Sequence, residues 1–179
     1  MLTLVLGGAR SGKSRFAQSV CAGGKQVAYI ATARSEDDEI RTRIARHRQD
    51  RPAHWLTIEE PLEVAGALER CAAQCDFVLL DCLTFWLSNL CWAHRDEPEE
   101  KIQAAASTEM ARMVAASVAS HLVMVTNEVG YGLVPESALG RLFRDLQGWI
   151  NQDAARAADF VYHVVAGIPL AIKKPEAVS

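Results

Sequence analysis

The chain has 179 residues, 50 % of them apolar and 23 % charged, with a net charge of −3. That length suits one domain spanning residues 1–179, and the composition is that of an ordinary soluble globular protein. The mildly acidic balance excludes an electrostatic trap for nucleic acid, and no apolar run approaches the length of a membrane span.

Residues 2–6 form a short apolar run that reads as a buried strand, with no basic leader before it. It leads directly into Gly7-Gly8-Ala9-Arg10-Ser11-Gly12-Lys13-Ser14, which matches G-x-x-x-x-G-K-[ST], and the residues from Arg15 onward read as a helix. Glycines let the backbone curl so that its N–H groups converge on a polyphosphate at the positive end of the following helix. In this pattern Lys13 reaches the terminal phosphates as the catalytic cation, and the Ser14 hydroxyl ligates Mg²⁺. The plainer alternative is a glycine-rich turn with an accidental lysine; the strand before it and the helix after it count against that.

Gly23-Gly24 ends the first helix, and residues 26–31 read as a second strand closed by Thr32-Ala33-Arg34. In an open parallel sheet ligands collect beyond the carboxyl ends of strands, so this tripeptide is expected near the phosphate loop. Ser35-Glu36-Asp37-Asp38 resembles a capping box, after which Ile40, Ile44 and His47 fall on one helical face. Arg41, Arg43, Arg46, Arg48 and Arg51 surround them before Pro52. Arginine forks match phosphate oxygens and would lower the pKa of a nearby histidine, whereas a solvated basic face over one packed histidine would look the same in sequence.

Residues 53–58 read as another strand, ending at Glu59-Glu60, and residues 62–75 as a helix entered through Pro61. Phe77-Val78-Leu79-Leu80-Asp81 is an apolar strand that ends in an acid. It would bring a carboxylate to the sheet edge, where Asp81 could share a Mg²⁺ shell with Ser14. Residues 83–93 are apolar throughout and fit either core or a surface for a large ligand or another subunit. An acidic break at 96–100 precedes a helix over about 99–119 and a strand over 121–126. Residues 127–135 form a second glycine-containing loop, either a ligand clamp using Asn127 or Glu128 or a plain surface loop. An amphipathic helix over 139–158, a strand over 160–165, a turn at 167–169 and a strand-like 170–172 complete the chain.

The cysteines at 21, 71, 75, 82 and 91 are odd in number and lack C-x-x-C spacing, which argues for a reducing cytoplasm and against a zinc site. Strands alternating with helices after a phosphate loop predict a three-layer α/β fold of the P-loop NTPase kind with a mainly parallel sheet.

Nearly end to end, the chain resembles the bifunctional adenosylcobinamide kinase/adenosylcobinamide-phosphate guanylyltransferases. The resemblance rests on G-G-A-R-S-G-K-S at 7–14, Y-I-A-T-A at 29–33, D-D-E-I-R-T-R-I-A-R-H-R at 37–48 and R-P-A-H-W-L-T-I-E at 51–59. It continues in L-L-D-C-L-T at 79–84, V-T-N-E-V-G-Y-G-L-V-P at 125–135, F-R-D-L-Q-G-W-I-N-Q at 143–152 and A-A-D at 157–159. It implies a RecA-like core, a homotrimer, and use of ATP or GTP with Mg²⁺. The implied reactions phosphorylate the aminopropanol hydroxyl of adenosylcobinamide and then transfer GMP from GTP to that phosphate, by way of an adduct on His47. By the same resemblance the nucleotide contacts are residues 7–14, Thr32-Ala33-Arg34, Arg48-Gln49-Asp50-Arg51, Glu59 and Asp81. His54 is the other local histidine, and Glu128 is a candidate base for the kinase step. Two rivals share the phosphate loop: a small-molecule kinase without a covalent intermediate, and a RecA-like protein that binds partners in a nucleotide-dependent way. The absence of N-K-x-D speaks against a GTPase switch, and the lack of net basic charge against a nucleic-acid motor.

Overall fold

Successive side chains along the central strands enter two different cores, as a sheet covered on both faces requires. The computed structural model describes residues 1–34 and 52–175. The helix expected after residue 35, with His47, Arg48, Gln49, Asp50 and Arg51, lies outside the described residues.

In chain order the elements are β1 (Leu2–Gly7), α1 (Lys13–Cys21), β2 (Val27–Ala31), β3 (Leu56–Glu59), α2 (Val64–Ala72), β4 (Phe77–Asp81) and α3 (Leu83–Ala93). Then follow α4 (Glu99–Ala116), β5 (His121–Asn127), α5 (Ala138–Ala157), β6 (Phe160–Val165) and β7 (Ile168–Lys173). The seven strands form one sheet in the order β3-β2-β4-β5-β1-β6-β7. Every pairing is parallel except β6 with β7, so the sheet is mainly parallel, as expected.

Leu4, Ile30, Leu80 and Met124 face a core built with Leu68 of α2, Trp86 of α3, Met110 of α4 and Ile150 of α5. Their neighbours Val5, Tyr29, Leu79 and Val125 face the opposite side, where Ala17 and Cys21 of α1 pack. The resulting three layers put the carboxyl ends of six parallel strands along one edge, and the phosphate loop emerges there between β1 and α1.

Several boundaries differ from the sequence reading for local reasons. Residues 53–55 are not strand: the Trp55 N–H donates to the Pro52 carbonyl at 3.1 Å, closing a turn, and β3 starts only at Leu56. The helix expected from residue 62 begins at Val64. The Glu60 carboxylate accepts from the Leu62 and Glu63 N–H groups at 3.1 and 2.9 Å and holds that segment in a turn. α4 stops at Ala116, where the Val114 carbonyl accepts from the Ser117 hydroxyl at 2.7 Å. The last turn falls at Ala166-Gly167, both at positive φ, and joins β6 and β7 as a two-residue hairpin. The Gly167 N–H donates to the Ser11 carbonyl at 2.8 Å, so this hairpin buttresses the phosphate loop.

Candidate active site

Two glycines of the loop answer to space and to backbone conformation. Gly12 precedes α1 at φ 94°, a left-handed conformation that side chains resist. A Cβ on Gly7 would lie 2.6 Å from the Val164 carbonyl oxygen, so β6 runs too close for any larger residue. Lys13, the first residue of α1, is only 6 % exposed, and its ammonium donates to the Gly8 carbonyl at 3.1 Å, folded back over the loop. Ser14 follows in the first helical turn and is half-buried; Gly8, Ala9 and Arg10 stand at the exposed crest.

Asp81 ends β4 beside Ala31 of β2 and Val125 of β5. One carboxylate oxygen, Oδ2, accepts from the buried Tyr29 hydroxyl at 2.7 Å, so the acid is held on the α1 side of the sheet. The buried Cys82 thiol is raised to about 11, first by burial and next by the Asp81 charge, with the Lys13 ammonium opposing. A serine hydroxyl and a carboxylate are hard oxygen donors of the kind Mg²⁺ takes, with water completing its shell.

Thr32 locks the ends of β2 and β4 together. Its hydroxyl donates to the Cys82 carbonyl at 2.7 Å and accepts from the Cys82 N–H at 2.8 Å, while its own N–H donates to the Asp81 carbonyl at 3.2 Å. Its carbonyl accepts from Asn89 Nδ2 at 2.8 Å, and Asn89 also donates to the Pro61 carbonyl at 3.1 Å. With the hydroxyl so engaged, Ala33 and Arg34 are the members of this tripeptide placed to extend along the edge. Glu59 ends β3, level with Ala31. Between β3 and β1 lie β2, β4 and β5, so Glu59 and the loop stand four inter-strand steps apart, or about 19 Å.

β5 lies between the phosphate-loop strand and the Asp81 strand, and its last residue, Asn127, is level with Gly7. Thr126 points toward α5, where its hydroxyl donates to Asn151 Oδ1 at 2.7 Å, so alternation turns Asn127 toward the α1 side. The Asn127 backbone is held twice: its N–H donates to Thr84 Oγ1 at 2.8 Å and its carbonyl accepts from Asn151 Nδ2 at 3.1 Å. Gln147 completes the support, donating to Thr126 Oγ1 and Asn151 Oδ1 at 3.0 and 2.9 Å.

Lys13, Ser14, Asp81 and the 32–34 segment thus share one edge, with Glu59 farther along it, and His47, Arg48, Gln49, Asp50 and Arg51 fall outside the described residues. The sequence reading missed Tyr29, Thr84, Asn89, Gln147 and Asn151. A signal existed for two of them: Gln147 and Asn151 are amides at i and i+4 on the apolar face of a helix.

A phosphate loop between an interior parallel strand and its helix, with an acid ending a strand two places away, defines the P-loop NTPase class. The fold agrees with a solved ATPase from the type III secretion system of pathogenic bacteria, at a TM-score of 0.58 and 8 % identity over 95 % of this chain and 56 % of that one. Residues 3–172 match the family described as cobinamide kinase / cobinamide phosphate guanyltransferase. The bifunctional adenosylcobalamin biosynthesis protein CobU of Escherichia coli K12 is 43 % identical, over 97 % of this chain and 100 % of that protein. CobP of Pseudomonas aeruginosa is 42 % identical over 97 % of this chain and 98 % of its own, and CobU of Salmonella typhimurium 42 % over 97 % and 100 %. The chain belongs to the cobinamide kinase/cobinamide phosphate guanyltransferase family and is an enzyme of that bifunctional type.

Proposed function

We propose that one nucleotide site serves two transfers. In the first, the aminopropanol hydroxyl of adenosylcobinamide attacks the γ-phosphorus of ATP or GTP. Its proton passes to a base, for which Glu128 is the candidate, and the nucleoside diphosphate leaves. In the second, a neutral imidazole nitrogen of His47 attacks the α-phosphorus of GTP. An N–P bond forms, the bond to the bridging oxygen of the β-phosphate breaks, and pyrophosphate departs. An oxygen of adenosylcobinamide phosphate then attacks the same phosphorus. The N–P bond breaks, its electron pair returns to the ring, and adenosylcobinamide-GDP is released.

The observation that carries this reading is the edge itself. Lys13 opens α1 directly behind the phosphate loop, Asp81 is held by Tyr29 on the α1 side of the sheet two strands from β1, and Glu59 stands farther along the same edge, a length that suits an extended nucleoside triphosphate. Lys13 would neutralise charge on the β- and γ-phosphates, and the loop N–H groups would orient them. Residues 32–34, Arg48, Gln49, Asp50, Arg51 and Glu59 would hold the remainder of the nucleotide. Mg²⁺, held by Ser14 and Asp81, supplies charge neutralisation of the leaving phosphates when bound. His47 is supported by its place in R-I-A-R-H-R, among arginines that favour a neutral ring.

The test uses GTP labelled at the α-phosphorus. Incubated with protein and Mg²⁺ and isolated under alkaline conditions, the chain should keep an acid-labile label that His47→Ala lacks. Equal labelling of that variant moves the nucleophile elsewhere, His54 first, and an unlabelled wild type favours a simple kinase.

A cytoplasmic homotrimer is part of the same proposal. Apolar Ile168, Leu170 and Ile172 lie exposed along edge strand β7 and offer a second copy a surface. A sedimentation mass of three chains is expected; a mass of one 19.6 kDa chain removes this part.

A further inference from the structure

An acceptor tethered through a short arm must dock within that arm's reach of the phosphates, and therefore at the carboxyl edge of the sheet. A cavity of about 480 Å³ opens there between α3 and the first turns of α5. Its walls include Arg34 just beyond β2, Asn89 and Trp92 of α3, Ser137 at the cap of α5, and Leu139 and Phe143 in its first turns. Asn89 is tied to Thr32 and Pro61 at the ends of β2 and β3, which fixes this wall to the edge. The cavity between α4 and the later half of α5 is smaller, about 280 Å³, and no segment from the strand ends contributes to it.

The chemistry of the larger cavity is mixed. Trp92 is 58 % exposed, and the Arg95 guanidinium lies 4.9 Å from its ring centre. The connection from β5 to α5 carries Tyr131, Leu133 and Val134 in the open, with Leu133 96 % exposed, and ends where the α5 wall begins. Large apolar side chains left in water beside polar ones mark a surface for a ligand of the same mixed character.

We propose that this cavity seats the corrin ring of the acceptor, a flat apolar macrocycle rimmed with amides, with Trp92 against the ring and its arm directed toward the phosphate loop. The inference rests on the cobinamide reading above. The two helices that form the cavity also hold the strand end facing the nucleotide: Thr84 of α3 and Asn151 of α5 bind the Asn127 backbone. Both walls of the cavity are thus anchored to the strand end beside the phosphate loop.

Equilibrium dialysis against cobinamide, read by its visible absorption, tests this in the full chain, with a fluorescent GTP analogue titrated in parallel. Trp92→Ala, and Ser88→Trp to fill the cavity, should each weaken cobinamide binding at least about ten-fold, as loss of an aromatic anchor does. The affinity for the GTP analogue should stay within about two-fold, and Trp92→Phe should restore most of the cobinamide binding. Unchanged cobinamide affinity in both disruptive variants, or equal loss of both ligands, overturns the assignment. A wild type that binds the GTP analogue but no cobinamide removes the acceptor reading itself.

Discussion

Tyr29 shows how a residue read as core can also hold a candidate site residue. In sequence it is one more apolar position of a buried strand, and its ring does pack on the α1 side. Its hydroxyl, however, reaches Asp81 Oδ2 at 2.7 Å, two residues beyond its own level in the parallel register. Parallel pairing puts residue 29 beside residue 79 and residue 31 beside residue 81. Side chains two apart share a face, so a long tyrosine can span the diagonal. The acid itself was legible because an apolar run ending in Asp shares the chain with a phosphate-loop motif; the phenol that holds it was not, because the contact exists only once β2 and β4 are adjacent. Tyr29→Phe removes this hydrogen bond and keeps the ring. On the proposed Mg²⁺ role of Asp81 and the proposed adduct, the free Mg²⁺ concentration needed for half-maximal labelling from GTP should rise about ten-fold. A Mg²⁺ titration that superimposes on wild type would separate Tyr29 from the metal.

At the scale of elements, a buried polar cluster ties β5 to α5 beside the phosphate loop. Thr126, Gln147 and Asn151 form a buried cluster that clamps the carbonyl of Asn127. The sequence reading ended this strand at residue 126 and assigned Asn127 to a loop; the strand continues to Asn127 through its pairing with Gly7. The apolar stretch 83–93 was ambiguous because a helix apolar on all sides carries no directional pattern. The structure divides it, with Leu83, Trp86, Leu87, Leu90 and Cys91 buried and Trp92 outside. Buried amides are costly when a partner is withdrawn, because the remaining groups keep their desolvation penalty. Asn151→Ala withdraws partners from Thr126, Gln147 and the Asn127 carbonyl together. A loss of about 2 kcal/mol is expected, which lowers the melting temperature by roughly 4–8 °C in a chain of this size. Calorimetry reads this directly, and an unshifted transition would mean that water replaces the amide without cost.

For the whole molecule, the α/β class and the parallel sheet were legible from the alternation of short apolar runs with helical spacing. The strand order was not, because sequence carries the period of each element but not the crossover that puts β5 between β1 and β4. That order brings His121, at the start of β5, beside β1 at the edge opposite the site. Its Nε2 lies 2.8 Å from Thr3 Oγ1, and its ring packs on Phe77 with centroids 4.7 Å apart. Burial, and then the N-terminal ammonium, hold its pKa below the usual 6.5, with Asp159 opposing. A histidine favoured in its neutral form by folding binds fewer protons in the folded chain than in the unfolded one, between the lowered and the usual value. Stability from this residue is therefore complete above about pH 6.5 and is lost as the pH falls toward its folded pKa. Urea unfolding of wild type and His121→Gln at pH 7.5 and 5.5 isolates the effect, since the other histidines are common to both. The midpoint of wild type should drop more on acidification than that of the variant. Parallel drops would show that the acid sensitivity of the fold lies elsewhere.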